Sequence, residues 1–185
     1  MLRKITFILL TFVVYSTLNA QTPVKNTTIS PPPPPKKKKI YRHVDYVGFY
    51  ELTDSLREYR NTRLIDEKTF IKYSKNRKTI ILDTRSKKAF DDFHLKGAIH
   101  INFSDFTDEK LAQIIPDKET RILIYCNNNF KGNRPSLRNK RAPLALNIPT
   151  FINLYGYGYQ NIYELNASIK LEECKIPVVL SKRPY

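Results

Sequence analysis

RILIYCNNNFKGNRPSLRNKR, residues Arg121 to Arg141, is the stretch on which the fold turns. Its first five residues, RILIY, form an apolar run too short for a helix and long enough for a strand covered on both faces, as in a parallel sheet. At Cys126 this run gives way to a polar loop that carries no acidic residue up to Arg141. Open parallel sheets bind ligands beyond the carboxyl ends of their strands. Cys126, the first residue past such an end, therefore stands where chemistry is done.

Outward from this strand the chain has no internal repeats, and short apolar runs alternate with helical patterns. Tyr41–Arg63 is an aromatic, charge-rich lead-in with a helix expected over Glu51–Tyr59. Asp66–Asn76 reads as a helix that Asp66 caps and that Phe70, Ile71 and Tyr73 anchor. Thr79–Asp83 (TIILD) is a buried strand, Ser86–Phe93 an amphipathic helix, Gly97–Asn102 a strand and Asp108–Ile115 a helix. Ile148–Tyr155 is a helix that stops at Gly156 or Gly158, and Asn161–Leu165 closes the set as a strand. Such alternation implies right-handed crossovers and an α/β fold: a doubly wound, mostly parallel sheet with helices on both faces.

The 185 residues, 41% of them hydrophobic, suffice for one core. Residues 1–20, MLRKITFILLTFVVYSTLNA, place two positive charges before an apolar run from Ile5 to Tyr15. That run is shorter than the ~18 residues a spanning helix requires, so it reads as a secretory signal cleaved near Ala20. The expected location is periplasmic or extracellular. The formal charge of +15 falls only to +13 when Arg3 and Lys4 leave with the signal. Residues 21–39 form a tether whose PPPPP run favours polyproline II and whose Lys36, Lys37, Lys38 and Lys39 keep it solvated. Those lysines suit an anionic surface as partner; nucleic acid is set aside for an exported protein. The expected divisions are a lead-in at 40–65, the domain at 66–170 and a C-terminal tail at 171–185.

The loop after Cys126 is suited to anions. Asn127, Asn128, Asn129 and Gly132 tolerate positive φ, so successive backbone N–H groups can converge into a nest around the sulfur. Lys131, Arg134, Arg138, Lys140 and Arg141 add five cations, which are expected to lower the thiol pKa from its usual ~8.5 and to draw in an anionic donor. Against this stand a buried, inert cysteine and an ordinary solvated insertion. Phe130 is either a hydrophobic pin or a substrate wall, and Pro135, Pro143 and Pro149 favour a defined loop path. His94 and His100 have no partner at metal-ligand spacing, so neither a metal nor a cofactor is expected. Whether Cys126 pairs with Cys174 is open.

The chain resembles the rhodanese-like domains over roughly Glu67–Leu165. The resemblance rests on ILDTR (Ile81–Arg85), SKKAF ending at Phe90, HLKGAIHIN (His94–Asn102), ILIYC (Ile122–Cys126) and GYQNIYEL (Gly158–Leu165), in the family's order. It implies a single-domain, monomeric sulfurtransferase in which Cys126 carries a persulfide sulfur from a small anionic donor such as thiosulfate to a thiol acceptor. Asn127, Asn128, Asn129, Phe130, Lys131, Gly132, Asn133 and Arg134 would line the substrate, while Asp83 and Arg85 brace the strand end. Typical members close this loop within about five residues, with Gly at the third position and Arg near the fifth; here Asn129 and Lys131 stand there. The enlarged loop leaves two alternatives, an oxyanion-handling enzyme of phosphatase or arsenate type and a non-catalytic binding module.

Overall fold

The structure, a computed structural model, describes residues 30–33 and 43–182. The export segment 1–20 and the lysines Lys36–Lys39 lie outside the described residues.

Helix α1 (Tyr46–Ser55) starts where the Asp45 carboxylate accepts the Gly48 N–H at 3.0 Å, and α2 (Arg57–Asn61) follows after Leu56. The single helix expected over Glu51–Tyr59 is thus two, broken at Leu56. The physical reason is burial: α1 sinks no side chain, whereas Leu56 and Tyr59 lie in the core. After β1 (Leu64–Ile65), Asp66 caps α3 (Glu67–Ser74) by accepting the Thr69 N–H at 2.8 Å. Strand β2 (Thr79–Asp83) leads to α4 (Lys87–Asp92), which Ser86 caps. The helix expected to run through Phe93 stops one residue earlier, because Phe93 opens β3 (Phe93–Leu95). A turn at Gly97, with φ +84°, passes to β4 (Ala98–His100). Helix α5 (Asp108–Ile114), capped by Thr107, precedes β5 (Arg121–Tyr125). Beyond the loop come β6 (Phe130–Lys131), α6 (Asn147–Gly156), β7 (Ile162–Leu165), β8 (Ile169–Lys170) and β9 (Val178–Leu180).

Five strands make one parallel sheet in the order β1-β7-β5-β2-β4, with β5 at its centre. Both faces are covered. Ile122 and Ile124 of β5 pack with Leu56 at the α1–α2 break and with Tyr59, Leu111, Phe151 and Tyr155 from α2, α5 and α6, while Leu123 and Tyr125 meet Phe70, Phe93, Phe130, Leu137 and Ile176 on the other side. Two apolar faces explain why RILIY and TIILD show no polar alternation. Burying Ile122, Leu123, Ile124 and Tyr125 at ~1.5–3 kcal/mol each is what anchors β5 in the centre.

The segment set apart as a C-terminal tail is built into the fold. β9 runs antiparallel to β3, pairing Phe93 with Leu180, and Ile176 is buried in the second core. Cys126 and Cys174 are both free thiols, and the Cys174 Sγ donates to the Ile176 carbonyl at 3.4 Å. Among the described residues no helix is long and apolar enough to cross a membrane.

Candidate active site

Cys126 leaves the end of β5 in an extended conformation and is only 1% exposed. The three asparagines that follow form a right-handed 3-10 turn, and each side chain ties down a different piece of chain. The Asn127 amide donates to the Arg138 carbonyl. Asn128 clamps the Lys140 backbone twice, donating to its carbonyl at 2.8 Å and accepting its N–H at 2.9 Å. Asn129 is the keystone: its oxygen accepts the Cys126 N–H at 2.9 Å and the Asn147 amide at 3.0 Å, and its nitrogen donates to the Leu165 and Ala167 carbonyls at 2.7 and 3.0 Å. Asparagine alone supplies donors and an acceptor at this length of side chain, so the run reads as a fastening for the loop.

The expected positive-φ nest is not present. Among the described residues positive φ occurs only at Gly97 and Gly158. The amides that face the sulfur come instead from two segments: Asn128 in the turn, and Leu146 and Asn147 at the start of α6. A helix that crosses back from the end of β5 brings its N-terminus, with its free N–H groups and positive dipole, to the same edge as Cys126. Leu146 and Asn147 are the residues that sequence reasoning missed. Pro149, in the first turn of α6, was the available signal, because proline is tolerated where the helix N–H groups have no partner.

Burial dominates the thiol's proton affinity and pushes it above the ordinary cysteine value; the Asn128, Asn147 and Leu146 amides pull it down, and the Glu164 charge pushes it up. The expected depression by the loop cations is therefore corrected: the thiol is raised, and burial rather than the loop charge sets the direction. Glu164, another residue that the sequence did not mark, is buried beside this group on β7, paired with Arg60 at 2.6 Å. Burial raises its own pKa, against the pull of Arg60 and the Asn147 amide.

The cations fail because their charges are committed elsewhere or exposed. Arg134 pairs with the buried Asp92 at 2.6 Å and donates to the Ser181 hydroxyl at 2.7 Å. Lys131 points to solvent from β6, which pairs with β8, and Gly132 and Asn133 are exposed. Phe130 is fully buried against Phe93 and Tyr125, at ring distances of 4.9 and 5.9 Å, so it is the pin and not the wall. Of the eight residues expected to line substrate, Asn127, Asn128 and Asn129 gather at Cys126, while Phe130 to Arg134 lead away from it. The insertion thus divides in two: 130–137 is anchored in the second core at its two ends by Phe130 and Leu137, and 138–146 folds back over the turn under the grip of Asn127 and Asn128.

Asp83 and Arg85 form a buried two-pronged pair, Nε to Oδ1 at 3.0 Å and Nη2 to Oδ2 at 2.7 Å. Burial works against the Arg85 charge, but Asp83 outweighs it and holds the guanidinium protonated. Tyr125 donates to Asp83 at 2.6 Å, and Arg85 reaches the Phe93 and Ser136 carbonyls at 2.6 and 3.4 Å. The pair thereby joins β2, β5, β3 and the loop. Next to it a cavity of about 260 Å³ opens between Arg85, Asn127, Ser136, Arg138, Lys140 and Leu146. Its lining is cationic and includes Asn127, the residue that follows Cys126.

Several solved structures are similar to this chain. The solution structure of hp1203 from Helicobacter pylori is 20% identical, covering 67% of this chain and 98% of that one at a TM-score of 0.45. A rhodanese with anions from E. coli is 22% identical over 56% and 99% of the two chains (TM-score 0.38), and a full-length Lactobacillus plantarum protein is 21% identical over 71% and 99% (TM-score 0.40). No curated protein matches the chain. The family model of the rhodanese-like domain matches residues 66–171, the span from the Asp66 cap through β8 that contains four of the five strands of the central sheet and the cysteine loop. With more than half of its sequence matched, the chain belongs to the rhodanese-like domain family.

Proposed function

We propose that this chain is an exported, monomeric sulfurtransferase that forms a persulfide on Cys126 from a small anionic sulfane donor and hands the sulfur to a thiol. One observation carries this: Cys126 follows directly on the central strand, and its sulfur faces the Asn128 amide of the turn and the Leu146 and Asn147 amides at the start of α6. Fixed N–H groups of this kind favour a thiolate and the negative charge that travels through sulfur transfer. In the first step the Cys126 thiolate attacks the outer sulfur of thiosulfate; one S–S bond forms, the donor's S–S bond breaks, and sulfite departs with the bonding pair. In the second step an acceptor thiolate attacks the outer persulfide sulfur and the Cys126 thiolate leaves. The thiol is closed over in the structure, so entry requires segment 138–146 to lift from Asn127 and Asn128. The Arg85–Arg138–Lys140 cavity is the anion's approach. Residues 1–20 support export, and Lys36–Lys39 support attraction of the mature chain to an anionic surface.

Turnover tests it: thiosulfate with cyanide as acceptor should yield thiocyanate with the wild-type chain and none with Cys126→Ser. A second reading, a non-catalytic docking module on the same scaffold, is favoured by the 1% exposure of Cys126. It predicts no thiocyanate at any donor concentration. Hydrolysis of an aryl phosphate dependent on Cys126 would instead point to the phosphatase-type alternative.

A further inference from the structure

We propose that the start of the leader's proline run, Pro31 to Pro33, is a bound element rather than a free tether, seated in cis on the C-terminal half of α6 through Tyr155. The Tyr155 ring lies in the first core, 1% exposed, edge-on to Tyr59 at 5.8 Å. Its hydroxyl donates to the carbonyl of Pro32, and that is its partner in the structure. The neighbouring Tyr59 hydroxyl is already committed, donating to the Gln160 carbonyl at 3.1 Å. A phenol sunk this deeply needs an acceptor, because leaving a buried donor unmade costs more than the bond itself yields. The burial also shows in its acidity: desolvation first, then the nearby Tyr59, push the Tyr155 pKa up to about 12.

The occupant's chemistry fits. A polyproline II strand makes no internal hydrogen bonds, presents its carbonyls outward and is already ordered, so docking it costs little entropy. Aromatic surfaces offering a hydroxyl or N–H are the general solution for holding such strands. Here the strand is the chain's own: Pro32 lies within the PPPPP run, and Pro32 is half-buried while Pro31 and Pro33 remain exposed. Tyr155 is eight residues beyond Asn147, about 12 Å along α6 from the end that faces the thiol. The contact is therefore separate from the sulfur site and independent of the function proposed for it.

A double-mutant cycle on thermal unfolding of the full chain tests this. One arm replaces Pro31, Pro32 and Pro33 by Gly, Ser and Gly; the other is Tyr155→Phe, which keeps the ring and removes the donor. The leader replacement should lower the midpoint in the wild-type background and have a clearly smaller effect in the Tyr155→Phe background. NMR of the wild-type chain should show cross-relaxation between the Tyr155 ring and Pro32 protons that does not vary with protein concentration. Additive effects in the cycle, no cross-relaxation, or a contact that grows with concentration and so joins two copies would each overturn the proposal.

Discussion

The side-chain oxygen of Asn129 accepts the backbone N–H of Cys126 at 2.9 Å while the same side chain's nitrogen holds the Leu165 and Ala167 carbonyls at 2.7 and 3.0 Å. One side chain thus fixes the cysteine's backbone to the end of β7. Replacing it by aspartate keeps the shape and the accepting oxygen but puts a second oxygen where the donating nitrogen stood, so both donations are lost and the buried carbonyls face a carboxylate. Asn129→Asp should cost about 2 kcal/mol, from the ~1–3 kcal/mol penalty of an unmade buried bond. For a chain of this size that is a fall of ~4–8 °C in midpoint, readable by calorimetry. An unchanged midpoint would mean that the loop is held elsewhere.

Arg134 and Lys131 should not govern the thiol. The pH dependence of Cys126 alkylation should be the same in Lys131→Gln and in wild type. Arg134→Gln should likewise leave the titration in place while destabilising the fold by roughly 3 kcal/mol, the low end for breaking a buried pair by removing one partner. A shifted titration in either variant would bring the loop charges back to the sulfur.

Acid should probe the same anchor. Burial works against ionisation of Asp92, but the hydrogen bonds from Arg134, Ser136 and Ser181 win and hold its pKa below the ordinary carboxylate value. A group whose folded pKa is depressed contributes stability above its unfolded pKa, near ~3.9, and loses it as pH falls through the folded pKa. The unfolding midpoint of wild type should therefore drop more steeply below about pH 4 than that of Asp92→Asn. Parallel curves would show that Asp92 contributes nothing to the acid limb.

Glu164 bears on the cysteine directly. Its negative charge disfavours the Cys126 thiolate, so Glu164→Gln should let the thiolate form at lower pH, seen as an earlier rise of alkylation rate with pH. A rise displaced to higher pH would contradict this placement of the charge. Loss of the Arg60 partner should also lower the thermal midpoint.

The sheet was legible in the sequence because its physics is local. TIILD and RILIY are strands at the expected residues, Asp66 caps its helix as expected, and the helix expected from Ser86 begins at Lys87. The position of Cys126 past the end of β5 was legible for the same reason. The loop was not, because its path is set by contacts far apart in sequence. Arg134 reads as a free cation until Asp92, 42 residues earlier, is brought beside it. The asparagine run reads as flexible backbone until its side chains are seen gripping Arg138, Lys140, Leu165 and Ala167. The lead-in was hard to read for a different reason: Tyr46, Phe49 and Tyr50 of α1 are apolar yet exposed, so its aromatic residues mark no core face and the helix begins at Tyr46, ahead of the expected Glu51.

The intact mass of the full chain after incubation with thiosulfate and removal of excess donor tests the central claim most directly. The account predicts a gain of one sulfur atom on Cys126, reversed by a thiol reductant and absent in Cys126→Ser even though Cys174 remains. An unchanged wild-type mass across thiosulfate and other sulfane donors, or a gain that persists in Cys126→Ser, would contradict it.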